Sequence, residues 1–414
     1  MLGPYRVVEL AGYGTALCGQ MLGDLGADVV VVEPPRGAPL RRQPPYYGDA
    51  PHPDRSLSWW ATNRNKRGVT LDLETEQGRR LLRDLVRGAD FVLDGLPPGK
   101  LDALGLGYAQ LSADDPRLLM VSTSPFGQDG PKADFSSVDL IVMAASMLLY
   151  ATGDGDLPPL HLSSPQAAMH AGAETAATVL IAHYGRERSG RGQHLDVSAQ
   201  AALTMATQSA VLAPAWEAPG AYVSRAAGGL KVGPIVVRLL FPCKDGHVSC
   251  TFLFGSAIGP MSRRLMQVIH ERGFCDASLA EKDFVNYQQL LMTFKEPITE
   301  LFRAYAAIDA FFKTQTKAEL FALAQERNLL IAPCSTLEDL VHSPQLDSRS
   351  YWVAVEHPEL GRSFRYPGPF AKLSETPLTY RQRAPLLGEH NAEVFGSLGL
   401  TAGDLVALSG QAVL

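Results

Sequence analysis

Asn63-Arg64-Asn65-Lys66-Arg67-Gly68 leads directly into the strand-like run Val69-Thr70-Leu71-Asp72-Leu73. Cations standing before a strand can attract the phosphates of a ligand through charge-assisted hydrogen bonds. The same residues can also form a basic loop that packs against carboxylates of its own chain. On residue types alone the packing reading is the stronger. Gly12, Gly14 and Gly19 fall between a strand pattern and a helix pattern, where glycine lets a phosphate approach a helix N-terminus. Their spacing is not Gly-x-Gly-x-x-Gly, so tight-turn glycine is the commoner reading of each. Trp59-Trp60 offers either a pocket for an aromatic acid or ordinary core packing, and packing is favoured.

Composition narrows the chemistry further. The chain has 414 residues, 46% hydrophobic and 19% charged, with a net charge of −6. That is enough for about two or three domains with a large buried core. No basic block stands out, so nucleic acid is not an expected partner. The longest apolar run, near Leu140 to Tyr150, is too short to span a bilayer. The N-terminus lacks the basic start and long apolar stretch of a signal peptide. Cys18, Cys243, Cys250, Cys275 and Cys334 are scattered without a Cys-x-x-Cys pair. They read as reduced thiols of a cytoplasmic protein, with no zinc site and no disulfide frame.

The elements that must position these residues alternate along the first third. Strands are predicted at Arg6 to Leu10, Asp28 to Glu33, Val69 to Leu73, Phe91 to Asp94 and Leu118 to Ser122. Helices are predicted at Ala16 to Leu25 and Glu76 to Gly88, the second with Leu81, Leu82 and Leu85 on one side. Strand-helix-strand units of this length make a parallel, doubly wound sheet. Ala167 to Tyr184 and Val197 to Gln208 read as helices. Beyond Tyr222 the character changes: Arg238 to Phe241 and His247 to Cys250, joined by Lys244-Asp245-Gly246, predict a hairpin. Helices follow at Glu300 to Phe312 and Lys317 to Arg327. The expected domains are a large one over 1–215, a small one over 222–330, and a segment, 331–414, that returns to the large one.

Several motifs in this order resemble the family III CoA-transferases, the group of formyl-CoA transferase, carnitine-CoA transferase and α-methylacyl-CoA racemase. They are Leu22-Gly23-Asp24-Leu25-Gly26-Ala27-Asp28-Val29-Val30, Asn63 to Leu73, Asp94-Gly95-Leu96-Pro97-Pro98-Gly99, Ser122 to Pro131 and Ala384-Pro385-Leu386-Leu387-Gly388-Glu389-His390. The resemblance implies an α/β chain: a Rossmann-like large domain, a smaller α+β domain, and two such chains interlocked as linked rings in a dimer. It implies a CoA thioester as substrate, with no covalently bound cofactor. Carried over position by position, the CoA-binding residues are Tyr13, Gly14, Arg36, Lys66, Arg67, Leu71, Asp72, Leu73, Gly95, Leu96, Ser136 and Asp139. Ala227-Gly228-Gly229 matches the glycine-rich loop that covers the reacting groups, though it is shorter in glycine.

The family's Pro-x-x-Asp-x-x-x-Gly segment reads Pro165-Gln166-Ala167-Ala168-Met169-His170-Ala171-Gly172 here, so Ala168 stands where the catalytic aspartate belongs. That carboxylate attacks an acyl-CoA thioester to form a mixed anhydride and then an aspartyl-CoA thioester. A methyl group does neither, and loss of such a nucleophile removes roughly 10⁴ to 10⁶ in rate. Glu174 lies six residues on, roughly 120° around a helix and about 9 Å along it. His170 faces elsewhere too, and packing is the favoured reading of both. The racemase branch pairs the same aspartate with a histidine near Asp139, where this chain has Phe135-Ser136-Ser137-Val138. Family cations along the CoA groove are also replaced, by Pro34, Glu74, Ala103 and Ser136. Each such phosphate contact is worth about 1.5 to 3 kcal/mol. Arg36, Lys66, Arg67 and Lys132 remain as partial substitutes.

The expectation is therefore a subunit without its own nucleophile in a heteromeric CoA-transferase. A paralog carrying the aspartate would be its partner, and CoA would move between succinyl-CoA and a carboxylic acid such as an arylsuccinate. The alternatives are a homodimeric transferase, racemase or lyase of altered chemistry, and an acyl-CoA-binding protein that does not turn over.

Overall fold

A computed structural model describes residues 1–207, 225–232 and 235–414. The chain divides into two compact units. The first is Met1–Leu149, His161–Ala221 and Gln345–Leu414; the second is Tyr150–Leu160 and Tyr222–Pro344.

The first unit is built on β1 (Arg6–Leu10), α1 (Thr15–Asp24), β2 (Asp28–Glu33), α2 (Leu57–Thr62), β3 (Lys66–Thr70), α3 (Glu76–Val86), β4 (Phe91–Asp94), α4 (Lys100–Ala103), α5 (Tyr108–Asp114), β5 (Leu119–Ser124), α6 (Asp139–Ala145), α7 (Ala167–Ser189), β6 (Gln193–Ser198) and α8 (Ala199–Ala206). The six strands are parallel in the order β3-β2-β1-β4-β5-β6. Both faces of this sheet are covered, which is why its strands are near-continuous apolar runs. Val8, Leu10, Val30, Val32, Val92 and Met120 pack on one face with Leu81, Leu82 and Leu85 of α3. Val7, Val29, Leu93, Leu119 and Val121 pack on the other with Cys18 and Leu22 of α1 and Ala176 and Val179 of α7. The alternating residues of each strand sort to opposite faces, as the pleat requires.

Two boundaries differ from the sequence reading. The third strand starts at Lys66, not Val69, because Lys66 finds an acid partner inside the sheet and so enters it buried. Val197 and Ser198 end β6 where a helix was expected; Ser198 caps α8 by accepting the amide of Ala201. Gln208, the expected end of that helix, lies outside the described residues, as do 215 and Tyr222, two of the expected domain limits.

The second unit holds β7 (Gly229–Val232), β8 (Ile235–Arg238), β9 (Leu240–Cys243), β10 (Gly246–Cys250) and β11 (Ile331–Pro333), with helices that include Gly259–Glu271, Ile298–Phe312 and Lys317–Arg327. The Lys244-Asp245 turn joins β9 to β10 as an antiparallel hairpin. Phe241, Phe252, Phe284, Phe311 and Phe312 lie at the centre of the core. β11 pairs with β10, so the chain leaves this unit after Pro344 and not at 330. Residues 150–160 also belong here, held by Arg225, whose guanidinium donates to the carbonyls of Tyr150, Asp154 and Leu157.

In the C-terminal part of the first unit, β12 (Val353–His357) and β13 (Arg362–Tyr366) form a hairpin. Val355 and Tyr366 pack with Trp59 and Trp60. Both indoles are buried and donate to carbonyls, Trp59 to Pro385 and Trp60 to Asp54. The tryptophan pair is core and forms no acid pocket.

Candidate active site

In a doubly wound sheet the crevice opens beyond the C-terminal strand ends where the strand order reverses, here between β1 and β4. The two exits touch. The amide of Tyr13 donates to the carbonyl of Gly95 at 2.7 Å, and a Cβ on Gly12 would lie 2.1 Å from that oxygen. Gly14 caps α1 at φ +72, a conformation glycine adopts freely. Helix α7 closes on this turn: a Cβ on Gly172 would lie 2.8 Å from the Gly14 oxygen, and Ala171 is the nearest helix side chain to Gly14. The structure thus brings Tyr13, Gly14, Gly95 and Leu96 to one crevice, with the first turn of α7 beside it.

Ala168 sits half-buried in that first turn. Asp139 already caps the helix. Its Oδ1 accepts the amides of Ala167 at 2.7 Å and Gln166 at 2.9 Å, and its Oδ2 lies 3.2 Å from His161 Nε2. Asp139 is therefore engaged as the cap of this helix. Tyr13 packs against the cluster that includes Ala167 and Ala171. Its buried hydroxyl has no hydrogen-bond partner among the described residues. Burial, with the Asp139 carboxylate adding to it, pushes that phenol well above its ordinary pKa. His170 is half-buried and Glu174 exposed; neither side chain has a polar partner among the described residues.

The two cations expected to hold phosphates are committed within the chain. Lys66 is 0% exposed; its Nζ lies 2.7 Å from Glu9 Oε2 and donates to the Ala16 carbonyl and Asn63 Oδ1, both at 2.8 Å. Neither Glu9 oxygen has a well-directed hydrogen bond, so the attraction is chiefly Coulombic. Burial raises the Glu9 pKa and lowers that of Lys66, with each partner opposing the other's shift. A Cβ on Gly19 would stand 1.9 Å from Glu9 Oε2, so this glycine makes room for the buried acid and is not part of a phosphate loop. Arg67 grips Asp28 with Nε at 3.0 Å and Nη2 at 2.6 Å, and reaches Glu393 with Nη1 at 2.8 Å. A buried lysine with two acceptors and an ion-paired carboxylate, and an arginine with two carboxylates, have little left to offer a phosphate.

Leu71 is core at 2% exposure, and Leu73 packs against the same cluster. Asp72 turns its carboxylate to the Glu74 amide and its own amide to the Val413 carbonyl. These three close the turn after β3, and Leu73 packs against the same cluster as Leu96. Glu74 is paired with Lys100. Arg36 and Ser136 are exposed, and neither side chain has a polar partner among the described residues. Lys132 Nζ stands 5.8 Å over the Phe126 ring. In the second unit, Gly228 is pinned against Leu240 and Gly229 begins β7.

Sequence reading gave no role to two polar groups, Asp94 and His161. Asp94, at the end of β4, bonds the Leu96 amide and Ser122 Oγ; burial pushes its carboxyl up to about 6. Its only sequence signal was membership of the Asp-Gly-Leu-Pro-Pro-Gly turn. His161 gave no signal.

The parallel sheet, covered on both faces, and the glycine-lined crevice define a doubly wound α/β scaffold. Residues 2–391 match the model of CoA-transferase family III, and the chain belongs to that family. Its members act on CoA thioesters. The chain is 34% identical over 400 residues, 96% of it and 94% of the relative, to succinyl-CoA:(R)-benzylsuccinate CoA-transferase subunit BbsE of Thauera aromatica. It is 29% identical over 402 residues, 95% of it and 93% of the relative, to the succinyl-CoA–L-malate CoA-transferase beta subunit of Chloroflexus aurantiacus. A CAIB/BAIF family protein from Brucella suis shares the fold, with TM-score 0.80, 24% identity, and 96% and 99% of the two chains covered. No helix of the described residues is long and apolar enough to cross a membrane.

Proposed function

We propose that this chain is the subunit without a nucleophile in a heteromeric CoA-transferase. The observation that carries the reading is Ala168 in the first turn of α7, beside the crevice, with Asp139 used as the helix cap. No carboxylate of the first turn of α7 is free to form an anhydride, since that turn contains none. Two relatives are named as subunits, and both names give succinyl-CoA as donor. By that likeness the donor is succinyl-CoA, the acceptor an organic acid such as an arylsuccinate, and the partner a paralog that carries the aspartate, interlocked with this chain.

In that assembly the chemistry runs on the partner. Its aspartate attacks the thioester carbonyl and expels CoA thiolate; the thiolate returns to the anhydride, releases the donor acid and leaves an aspartyl-CoA thioester. The acceptor acid then reverses both steps. This chain supplies the scaffold and a crevice at Gly12-Tyr13-Gly14 and Gly95-Leu96, where the Tyr13 hydroxyl has no hydrogen-bond partner among the described residues; Arg36 and Ser136 are exposed on the same chain. Five free cysteines fit a reducing, cytoplasmic setting.

Expression alone and with an aspartate-bearing paralog, followed by size exclusion and a succinyl-CoA transfer assay, tests the reading. Turnover is expected only from the mixed species and is lost when the paralog's aspartate is removed. Turnover by the lone chain, or an acyl or CoA adduct on its own side chains, overturns the proposal. Loss of the lone-chain turnover in His170→Ala would then point to altered chemistry; CoA binding without turnover in every combination would point to an acyl-CoA-binding protein.

A further inference from the structure

Side chains from three neighbouring strands join into one hydrogen-bonded line beneath the crevice. Asp94 of β4 and Ser122 of β5 are direct cross-strand partners. Ser122 Oγ donates to Asp94 Oδ2 at 3.0 Å and lies 2.9 Å from Nε2 of His194, on β6. Asp94 Oδ1 accepts the amide of Leu96 at 2.9 Å, holding the turn whose Gly95 carbonyl takes the Tyr13 amide. Asp94 is 5% exposed and Ser122 2%. His194 is exposed, with its ring stacked on Tyr108 of α5 at 5.5 Å. The line therefore runs from solvent to the floor of the crevice.

Its neighbours are acidic. Asp102, on α4, acts on both Asp94 and His194, and Asp196, on β6, acts on His194. The nearby cation of α3, Arg83, is bonded to the Gly105 carbonyl. Among the described residues the charged group that acts on Asp94 is Asp102.

Ser122 has a single hydroxyl proton, which gives the line two complete arrangements. With Asp94 ionised, Ser122 donates to it and His194 Nε2 donates to Ser122. With Asp94 protonated, its O–H donates to Ser122, and Ser122 donates to a His194 whose proton sits on Nδ1. The arrangements differ by one proton, which passes between solvent and Asp94 without Asp94 meeting water.

We propose that Asp94, Ser122 and His194 form a proton port: a polyanionic CoA thioester seated at the Gly95–Leu96 turn draws one proton from solvent through His194 and Ser122 onto Asp94. Asp94 is then a positioning residue, neutralised as the ligand's phosphates arrive beside it. The proposal rests on the crevice being the CoA site. A buried carboxyl already raised by desolvation needs only a modest added negative potential to hold its proton at neutral pH. By linkage, a ligand that raises this pKa binds more tightly as pH falls toward it.

Calorimetric titration of CoA into the full chain at pH 7, in buffers of different ionisation enthalpy, reads the protons taken up per CoA bound. Wild type is expected to take up a substantial fraction of a proton beyond what Asp94→Asn takes up; the comparison cancels the titration of CoA's own phosphate. A role confined to structure would change the affinity and leave this proton count equal. Ser122→Ala serves as a second variant: without its hydroxyl donor the carboxyl rises further, so the uptake profile moves to higher pH. Binding with equal proton counts in wild type and Asp94→Asn, or an unmoved profile in Ser122→Ala, overturns the port and leaves the crevice reading standing. Failure of CoA to bind wild type overturns the crevice reading and the port together.

Discussion

The amide of Ala167 donates to Asp139 Oδ1 across 2.7 Å, so the helix that carries Ala168 begins on a carboxylate from another element. A carboxylate facing free N–H groups at a helix start satisfies donors that have no partner in the helix and interacts well with its dipole. Asp139→Ala should therefore cost about 1 to 2 kcal/mol in urea unfolding. His161→Ala removes only a partly exposed contact to the same carboxylate and should cost under about 0.5 kcal/mol. Equal losses in the two variants would mean that the cap is not what Asp139 does.

Ala168→Asp puts a second carboxylate into the turn that Asp139 occupies. The change leaves Pro34, Glu74, Ala103 and Ser136 in place, so the positions read as lost cations of the CoA groove still lack them. The lone variant is expected to remain at least about 100-fold below the mixed enzyme in succinyl-CoA transfer. Transfer at the mixed enzyme's rate would show that only the nucleophile is missing.

The contact of Gly12 with Gly95 sets the width of the crevice floor. A methyl on Gly12 would overlap the Gly95 carbonyl at 2.1 Å, and a backbone oxygen cannot swing aside as a side chain can. Gly12→Ala should destabilise the chain by about 2 kcal/mol or more and separate the two turns. Denaturant unfolding checks the first effect. A matching loss of CoA binding checks the second.

The sheet was legible because buried parallel strands need long apolar runs, and Val29 to Val32 can be little else. The glycine turns were legible by position, although the partners that exclude a Cβ, such as Gly95 against Gly12, come from remote segments. Lys66 and Arg67 show where residue type stops being informative. Their types favoured packing within the chain and the family resemblance favoured a ligand; the acids they meet, Glu9, Asp28 and Glu393, are brought to them only by folding. Asp139 was placed near the site by its motif, whereas its bond to Ala167 depends on a loop path that no local pattern encodes. Ser122 and His194 looked unremarkable because a line across three strands has no sequence spacing.

Asp94 gives the pH dependence of stability a definite sign. Burial raises its carboxyl from 3.8 to about 6, so the folded chain holds this proton more tightly than the unfolded one. Its contribution is fully present below 3.8 and is lost as pH rises through about 6, a change of roughly 3 kcal/mol. Asp94→Asn should remove that segment of the profile, seen as a flatter dependence of urea midpoint on pH between those limits. An unchanged profile would show that Asp94 keeps an ordinary pKa.

Glu9 and Lys66 face each other with no exposed surface on either residue, so each is costly once the other is gone. Lys66→Met alone leaves a buried carboxylate without its ion-pair partner and should lose about 3 to 5 kcal/mol. Glu9→Gln alone strands the ammonium, which keeps its bonds to Ala16 and Asn63, so its loss should be smaller. In Glu9→Gln with Lys66→Met no charge remains, and the pair should be more stable than Lys66→Met by itself. Glutamine has the size of glutamate and no charge, so it removes the ion pair without changing the volume at Glu9. A four-member cycle in urea measures the coupling. Additive losses would mean that the two charges are screened from each other, and the strand would then begin at Lys66 for some reason other than its acid partner.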